Sequence, residues 1–544
     1  MAVNFTLDSQ STEAPMGANL FDLAEQLEVK IPTSCRKQGK CRECLVQVTE
    51  GMEHLSGRTP EELHLQASFR LACRSQIAAD AGNVSCHTLR RSRMRVETEG
   101  GSITDTSREN LVLDPAAVRT GGDHILLDGR EIACSREPIH GLAVDIGTTT
   151  CVVRLLNLES GQVKAAASFE NPQRFGGSDV MARIQYDSER KDRLLQRTLL
   201  AYLTHAIEDF PVDPNTIYET VITGNSTMRD LFFGFDLSTI GQEPFQSVTE
   251  IECLEGRRST TAVEVEAGKL GVLMNPAGRV YGMPLVGGHV GADAAACMLA
   301  VGMCAEERTI AIMDVGTNTE VVVGNKDKAV AASCPAGPAF EGGAVACGMP
   351  GLEGAIERVR FEGEGRMKLG VIGGGEPEGI CGSGLIDLLS ELVRSKQLNV
   401  KGRFEGIDHP LVIDRKRHIV FTESDVNELA LAKGANVAGL SIILKHMGLV
   451  ADDIEVLYLA GAFGRHLNTE AATRIGFLPG LEASKYQQVG NAAIEGATMA
   501  LLSLEARRSL EELIRKTTHL RLEADPAFFD TFVDGCLFVP FEGV

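Results

Sequence analysis

No run of about 18 apolar residues, the minimum for a bilayer-spanning helix, occurs in the 544-residue chain. The segment nearest in character, 281–305, is interrupted by His289, Asp293 and several glycines. A membrane partner is therefore not expected. Basic residues are also in deficit: 53 Lys and Arg stand against 74 Asp and Glu, which argues against a face built to grip a polyanion and so against nucleic acid. The imbalance is uneven, because residues 1–90 hold 11 acidic and 9 basic residues; nearly all the excess negative charge lies downstream, where it serves solubility. The N-terminus lacks a basic segment leading into an apolar core, which predicts a reducing, cytoplasmic compartment rather than export. A Gly-x4-Gly-Lys-Ser/Thr phosphate loop is missing too, so any nucleotide must be held by another device. What is present is length and a 44% apolar content, too much for one core and enough for two to four packed units.

The 14 cysteines are expected to be thiols in such a compartment. Four form a pattern, Cys35-x5-Cys41-x2-Cys44 with a remote fourth at Cys73. Zinc sites favour paired short spacings, whereas three thiolates on one loop closed by a distant fourth is the arrangement of a [2Fe–2S] ferredoxin. The first gap has five residues where plant-type ferredoxins have four, which points to the adrenodoxin-like subtype. Val3–Leu7 alternate as a strand, Leu20–Leu27 read as a helix and Leu45–Val48 as a returning strand, the order of a β-grasp domain over residues 1–90. Ser34 and Gly39 leave room for backbone N–H groups to approach the cluster sulfurs. Arg36, Lys37, Lys40 and Arg42 make the loop basic, either to dock an acidic electron donor or to offset an anionic cluster. Cys86 lies in an alternating segment and reads as a small buried residue. Cys334, Cys347 and Cys381 lack the close spacing of cluster ligands and read as buried thiols.

Residues 91–139 begin with Arg91, Arg93 and Arg95 and run through a polar, glycine-containing stretch at 97–102, a linker composition that implies some movement between the domains it joins. A hairpin is expected around Leu127-Asp128-Gly129-Arg130. From 140 to 544 the pattern changes. An apolar strand ends at Asp145, followed by Gly147 and the hydroxyls of Thr148, Thr149 and Thr150; the same device recurs at Asp314, with Gly316, Thr317, Asn318 and Thr319. Glycine permits close backbone approach, N–H groups and hydroxyls donate to phosphate oxygens, and each carboxylate can hold Mg²⁺ through water. One copy would be an ordinary turn; two make an internal duplication. Gly342, in the segment 336–343, is a candidate to line a nucleotide cleft, and Gly382 with Ser383, at the start of a helix, to receive an anion or a ribose; either segment could instead be a tight crossing within a lobe. Thr223–Thr227 caps another helix.

These residues resemble the ASKHA superfamily of acetate and sugar kinases, Hsp70 and actin, whose two RNase H-like lobes each contribute a phosphate loop. In that resemblance Gly287–Asp293 corresponds to the first connecting segment, Gly461-Ala462-Phe463-Gly464 to the adenosine motif and Val489–Ala497 to the second connecting helix. The fold class expected is α/β throughout: a β-grasp ferredoxin followed by a two-lobed actin-like ATPase. Together with Asn171-Pro172-Gln173, Asp179-Val180 and Arg183-Ile184, the pair of domains resembles the ATP-dependent reductive activators of corrinoid proteins across nearly the whole chain. The resemblance implies a [2Fe–2S] cluster on Cys35, Cys41, Cys44 and Cys73, ATP and Mg²⁺, with Asp145 and Asp314 in catalytic roles. It also implies reduction of a Co(II) corrinoid partner to Co(I), and an electron donor of low potential, and it allows for a homodimer. Two alternatives share parts of the pattern: the activators of 2-hydroxyacyl-CoA dehydratases, which hold a [4Fe–4S] cluster between subunits, and a small-molecule kinase with a regulatory ferredoxin.

Overall fold

The computed structural model describes residues 2–8, 10–89, 111–190, 192–316, 318–363, 366–407, 409–461 and 467–541. Thr317, Ala462, Phe463 and Gly464 lie outside the described residues, as do Arg91, Arg93, Arg95 and the stretch 97–102. The chain forms two compact units, one containing the N-terminal domain with Leu113–Pro284 and Ala500–Leu504, the other containing Leu285–Met499 and Glu505–Val544.

In the first unit, alternation of Val3, Phe5 and Leu7 against Asn4 and Thr6 puts one face of β1 (Val3–Leu7) into the core. β2 (Gln10–Ala14), β3 (Leu45–Glu50), β4 (Phe69–Leu71) and β5 (Gly82–Thr88) complete a sheet in the order β2-β1-β5-β3-β4, with β1 and β5 parallel. The helix Leu20–Gln26 buries Leu20, Phe21, Leu23 and Ala24, giving the β-grasp arrangement. Asn19 starts this helix by accepting from the Phe21 N–H at 2.9 Å, and its amide donates to the Cys73 carbonyl at 3.1 Å; one N-cap residue thus ties the helix to the fourth thiol. Beneath β4 lies a buried ion pair. Arg70 Nε donates to Glu62 Oε1 at 2.8 Å, and the same carboxylate accepts from the Leu71 N–H and the Ser75 hydroxyl, which fixes the segment that carries Cys73.

The connector contains a meander of three antiparallel strands, β6 (Ala117–Thr120), β7 (His124–Leu127) and β8 (Arg130–Cys134). Asp128 (φ 49°) and Gly129 (φ 78°) form its second turn, the left-handed pair that matches strand twist in two-residue hairpins. Next comes a six-stranded sheet of β9 (His140–Ile146), β10 (Thr150–Asn157), β11 (Val163–Glu170), β12 (Ile217–Gly224), β13 (Val263–Glu266) and β14 (Arg279–Gly282), ordered β11-β10-β9-β12-β14-β13. The ferredoxin and this lobe share one hydrophobic core. Where they meet, His64 packs edge-on against Phe175 at 5.8 Å and Tyr202 donates to the Glu43 carbonyl at 3.1 Å.

The second unit repeats the plan. β15 (Ile310–Val315), β16 (Thr319–Gly324) and β17 (Ala329–Cys334) are followed by β18 (Ala355–Gly363), β19 (Arg366–Val371), β20 (Gly379–Ile380), β21 (Leu411–Asp414), β22 (Ile419–Phe421), β23 (Val456–Ala460), β24 (Tyr486–Gly490) and β25 (Thr517–His519). The main sheet runs β24-β23-β15-β16-β17-β25. Three antiparallel strands followed by parallel additions beside the first appear in both sheets: β11-β10-β9-β12-β14 matches β17-β16-β15-β23-β24. The duplication read from the two Asp-x-Gly segments is therefore a duplication of fold. The long helix Glu423–Met447 is held at its start by a Thr422/Asp425 capping box and ends at Gly448 (φ 69°). Among the described residues no helix is long and apolar enough to cross a membrane.

Candidate functional site

The loop that carries three of the four thiols is wound tightly. Arg36, Lys37, Gly39 and Arg42 all have positive φ, 52°, 65°, 73° and 62°, a left-handed path that turns backbone N–H groups to the inside of the curve. The four thiols fall into two pairs. Cys35 and Cys41 share a hydrogen bond, and Cys44 Sγ lies 3.3 Å from Cys73 Sγ. Burial opposes ionisation of Cys35, but hydrogen bonds from Cys41 and from the backbone of Lys40 and Gln38 bring its thiol down to about 7. Cys44 moves the other way, raised by its bond to Cys73 and by burial. All four are free cysteines. Two thiol pairs on a loop with inward amides fit a [2Fe–2S] cluster, each pair serving one iron. Gly39 is favoured by its left-handed backbone, φ 73°, which a side chain adopts only with strain; a Cβ there would also displace the end of the Arg74 side chain. Of the basic residues, Lys37 is engaged by Asp22 and Glu25, both at 2.7 Å, and Arg42 by Asp192 at 3.5 Å; Arg36 and Lys40 are exposed. Cys86 is buried in β5.

The first Asp-x-Gly segment turns from β9 into β10, and the Gly147 N–H donates to the Thr150 carbonyl at 3.0 Å. Asp145 and Thr148 are buried and Thr149 and Thr150 half-buried. Asn171 and Arg183, which the sequence marks only as family-like stretches, and Asn225, from the helix-capping segment 223–227, support this loop. Asn171 donates through Nδ2 to the Gly147 carbonyl at 2.8 Å and through its N–H to Thr149 O at 2.7 Å. Arg183, fully buried, donates to Thr148 O at 2.6 Å and to Gly177 O at 3.0 Å. Asn225, which caps the helix Ser226–Phe233, donates to the Thr148 hydroxyl at 3.0 Å. Thr223 pairs with Asp145 in the sheet register, and its buried hydroxyl has no hydrogen-bond partner among the described residues. An orphaned buried hydroxyl in register with the Asp145 carboxylate fits a site completed by a ligand.

In the second unit Asp314 ends β15 and the Gly316 N–H donates to Asn318 O at 3.2 Å. Thr319 repeats the signature of Thr223: buried, with its hydroxyl unpartnered among the described residues. Burial raises the Asp314 carboxyl above its ordinary range, and the Cys297 thiol, 3.5 Å from Oδ2, pulls it back in part. Glu320, on the next strand, is raised further by burial and by the charges of Asp293 and Asp314. Of these carboxylates only Asp314 is named as catalytic by the sequence; Glu320 closes the second Asp-x-Gly segment and Asp293 stands within the first connecting segment, and among the described residues the three do not form a group placed to hold a metal ion. Gly461 (φ 85°) follows β23, and a Cβ there would come within 2.6 Å of Val315 O and 3.0 Å of Asp314 Oδ1. Its counterpart Gly224 lies as close to Ile146 O, also 2.6 Å. Each lobe therefore seats its carboxylate hairpin against the glycine that ends the neighbouring parallel strand. Gly342 packs against Met349. Gly382 and Ser383 begin the helix Gly382–Arg394, where the Ser383 hydroxyl lies 3.4 Å from Cys381 Sγ.

Residues 5–78 match the 2Fe-2S iron-sulfur cluster binding domain, 140–306 the RACo middle region and 308–543 the C-terminal domain of RACo, the ASKHA domain. The corrinoid activation enzyme RamQ of Eubacterium limosum is 29% identical over a 609-residue alignment covering 99% of each chain. The [Co(II) methylated amine-specific corrinoid protein] reductase of Methanosarcina barkeri is 24% identical over 427 residues, 72% of this chain and 75% of that one. Among solved structures, a reductive activator for corrinoid, iron-sulfur protein superposes with a TM-score of 0.70 at 28% identity, covering 99% of both chains. With the ferredoxin, middle and ASKHA segments matched in that order along the chain, it belongs to the family of reductive activators of corrinoid proteins.

Proposed function

We propose that this chain carries out ATP-dependent reductive activation of a corrinoid protein, passing one electron to an inactive Co(II) corrinoid so that it becomes Co(I), the state that accepts a methyl group. The observation that carries this reading is the union in one chain of two thiol pairs on a ferredoxin fold with duplicated carboxylate and glycine hairpins, an architecture shared with relatives named for corrinoid activation and corrinoid reduction. Cys35, Cys41, Cys44 and Cys73 would hold the [2Fe–2S] cluster, which supplies single electrons at a potential near about −400 mV if it behaves as a plant-type centre. Co(II)/Co(I) couples are generally more reducing, so the transfer needs help from nucleotide binding, which can supply only a difference in affinity between two states.

The chain's own residues divide the remaining work. In the first unit the Gly147–Thr150 turn donates to phosphate oxygens while Asp145 orders water or Mg²⁺. In the second unit Gly316–Thr319 does the same, with Asp314 in the place that Asp145 holds in the first. Gly461–Gly464 receives the adenosine, with Gly342, Gly382 and Ser383 as further nucleotide contacts. An acidic donor of low potential is served by the exposed Arg36 and Lys40. The protein acts in the cytoplasm, and a homodimer is compatible with these assignments.

The test is anaerobic. Reconstituted protein is mixed with a purified Co(II) corrinoid methyltransferase subunit, a chemical reductant, and ATP with Mg²⁺. The Co(I) absorbance should grow only when all are present, and the reduced protein should give a rhombic [2Fe–2S]⁺ EPR signal. Co(I) formation at the same rate without ATP, or a phosphorylated small molecule as product, would overturn the reading.

A further inference from the structure

Between Cys41 and Cys44 stands Glu43, a buried carboxylate. Its backbone carbonyl accepts from Tyr202 Oη at 3.1 Å, its Oε2 lies 3.4 Å from His205 Nε2, and its Oε1 accepts from the Ser34 hydroxyl at 2.5 Å. Tyr202 and His205 belong to the helix Leu194–Glu208 of the neighbouring lobe. Ten residues earlier, about 15 Å along a rigid helix, the carbonyl of Leu195 accepts from Gln173 Nε2 at 3.2 Å. Gln173 is fully buried, and its Oε1 has no partner among the described residues. Its N–H donates to Asn171 Oδ1 at 3.0 Å, and Asn171 is the residue that holds the carbonyls of Gly147 and Thr149. The same turn, Pro172–Gly176, presents Phe175 to His64 of the ferredoxin.

We infer that the turn Asn171–Gly176 and the helix Leu194–Glu208 couple the first phosphate loop to the cluster loop, with Gln173, His205 and Glu43 as positioning residues. The inference rests on the reading of these two loops as nucleotide and cluster sites. An unbroken run of packed side chains is not itself coupling; coupling needs an element with two arrangements. The idle carbonyl of Gln173 supplies the candidate, because a buried acceptor without a donor is a state that a shift of the phosphate loop can relieve. Filling the first loop pulls on Asn171, Gln173 rearranges, and the helix moves Tyr202 and His205 against Glu43 between two of the thiols.

Linkage makes the consequence reciprocal: whatever factor nucleotide applies to reduction of the cluster, reduction must apply to nucleotide affinity. The experiment uses the full-length, cluster-loaded protein and a non-hydrolysable ATP analogue. Analogue Kd is measured for oxidised and reduced protein, and the midpoint potential is measured by EPR with and without analogue. The wild type should show a ratio of at least about fivefold, the lower end of ordinary allosteric coupling, which corresponds to about 40 mV at 59 mV per tenfold for one electron. Gln173→Leu and His205→Ala should bring the ratio to one while each keeps its EPR spectrum, and His205→Gln, which can still donate to Glu43, should restore it. Hydrogen exchange on the wild type provides a measurement free of folding defects in variants: analogue should change protection at 33–44 as well as at 171–176. Loaded wild type that binds analogue yet shows a ratio of one and unchanged exchange at 33–44 defeats the coupling alone. Wild type that takes up no cluster or binds no analogue defeats the functional reading along with it.

Discussion

Asp314→Asn tests the second phosphate loop with a change of charge and almost none of shape. The amide fits the space bounded by Gly461 and the Cys297 thiol, and the Gly316-to-Asn318 turn is made by backbone alone. What disappears is a buried charge, and with it one of the two neighbouring charges that, after burial itself, raise Glu320. If Asp314 orients Mg²⁺ or the attacking water, hydrolysis should fall between about tenfold and about a thousandfold, a loss of roughly 1.4 to 4 kcal/mol of transition-state stabilisation. The nucleotide-free protein should meanwhile melt no earlier than wild type, because neutralising one member of a like-charged buried group removes repulsion. Steady-state phosphate release, a thermal melt without nucleotide and an EPR spectrum on one preparation measure all three quantities. Normal hydrolysis would remove Asp314 from catalysis, and a lower melting temperature would show that the carboxylate is a structural partner rather than a repelled one.

Cys41→Ala should abolish the visible absorption of the cluster and all corrinoid reduction while equilibrium binding of an ATP analogue persists; retention of absorbance and activity would sink the ligand assignment. Glu62→Ala leaves Arg70 charged and buried, at 2% exposure, which should destabilise the ferredoxin by about 3–5 kcal/mol, read as faster cluster loss in urea than in wild type. Arg183→Met keeps volume but strips the Thr148 and Gly177 carbonyls of their donor. At about 1–3 kcal/mol for each unsatisfied group, it should lower the melting temperature and weaken analogue binding several-fold; an unchanged Kd would mean that the loop holds its shape without this prop.

The features legible in the sequence are those encoded within a few residues of one another. Cys35, Cys41 and Cys44 announce themselves by spacing, and the hairpins at Asp145 and Asp314 by repetition, because backbone geometry ties neighbouring residues together. The supports are not local. Asn171 and Arg183 reach Gly147 and Thr148 from 24 and 35 residues away, and His205 meets Glu43 across 162; none of these pairings leaves a periodicity or a motif. The stretches 171–173 and 179–184 were conspicuous as family-like sequence, yet their physical task, bracing carbonyls of the first loop, required coordinates. Glu320 was hidden for another reason: in a strand of valines it reads as an ordinary polar interruption, and only the cross-strand register with Asp314 gives it meaning. The connector shows the limit for turns. Asp128-Gly129 was readable as a hairpin, but the pairing of β6 with β7 depends on side-chain packing that turn residues do not specify.

The left-handed path of the cysteine loop bears on how the protein is made. Arg36, Lys37 and Arg42 hold positive φ without being glycine, and each such residue is disfavoured by of order 1–3 kcal/mol unless its surroundings insist on it. Part of that winding is held by the chain itself, through Lys37 with Asp22 and Glu25 and Arg42 with Asp192, and the thiolate ligation of a cluster would hold the rest. Cys35 and Cys41 are thereby brought together on a loop whose ends are set by β1, β3 and β5, so maturation becomes a matter of filling one loop on a scaffold built around it. Replacing Lys37 by glycine would remove one strained position but also the ion pairs with Asp22 and Glu25, and glycine has the most conformational freedom to lose, so the apo loop should loosen and cluster uptake should slow.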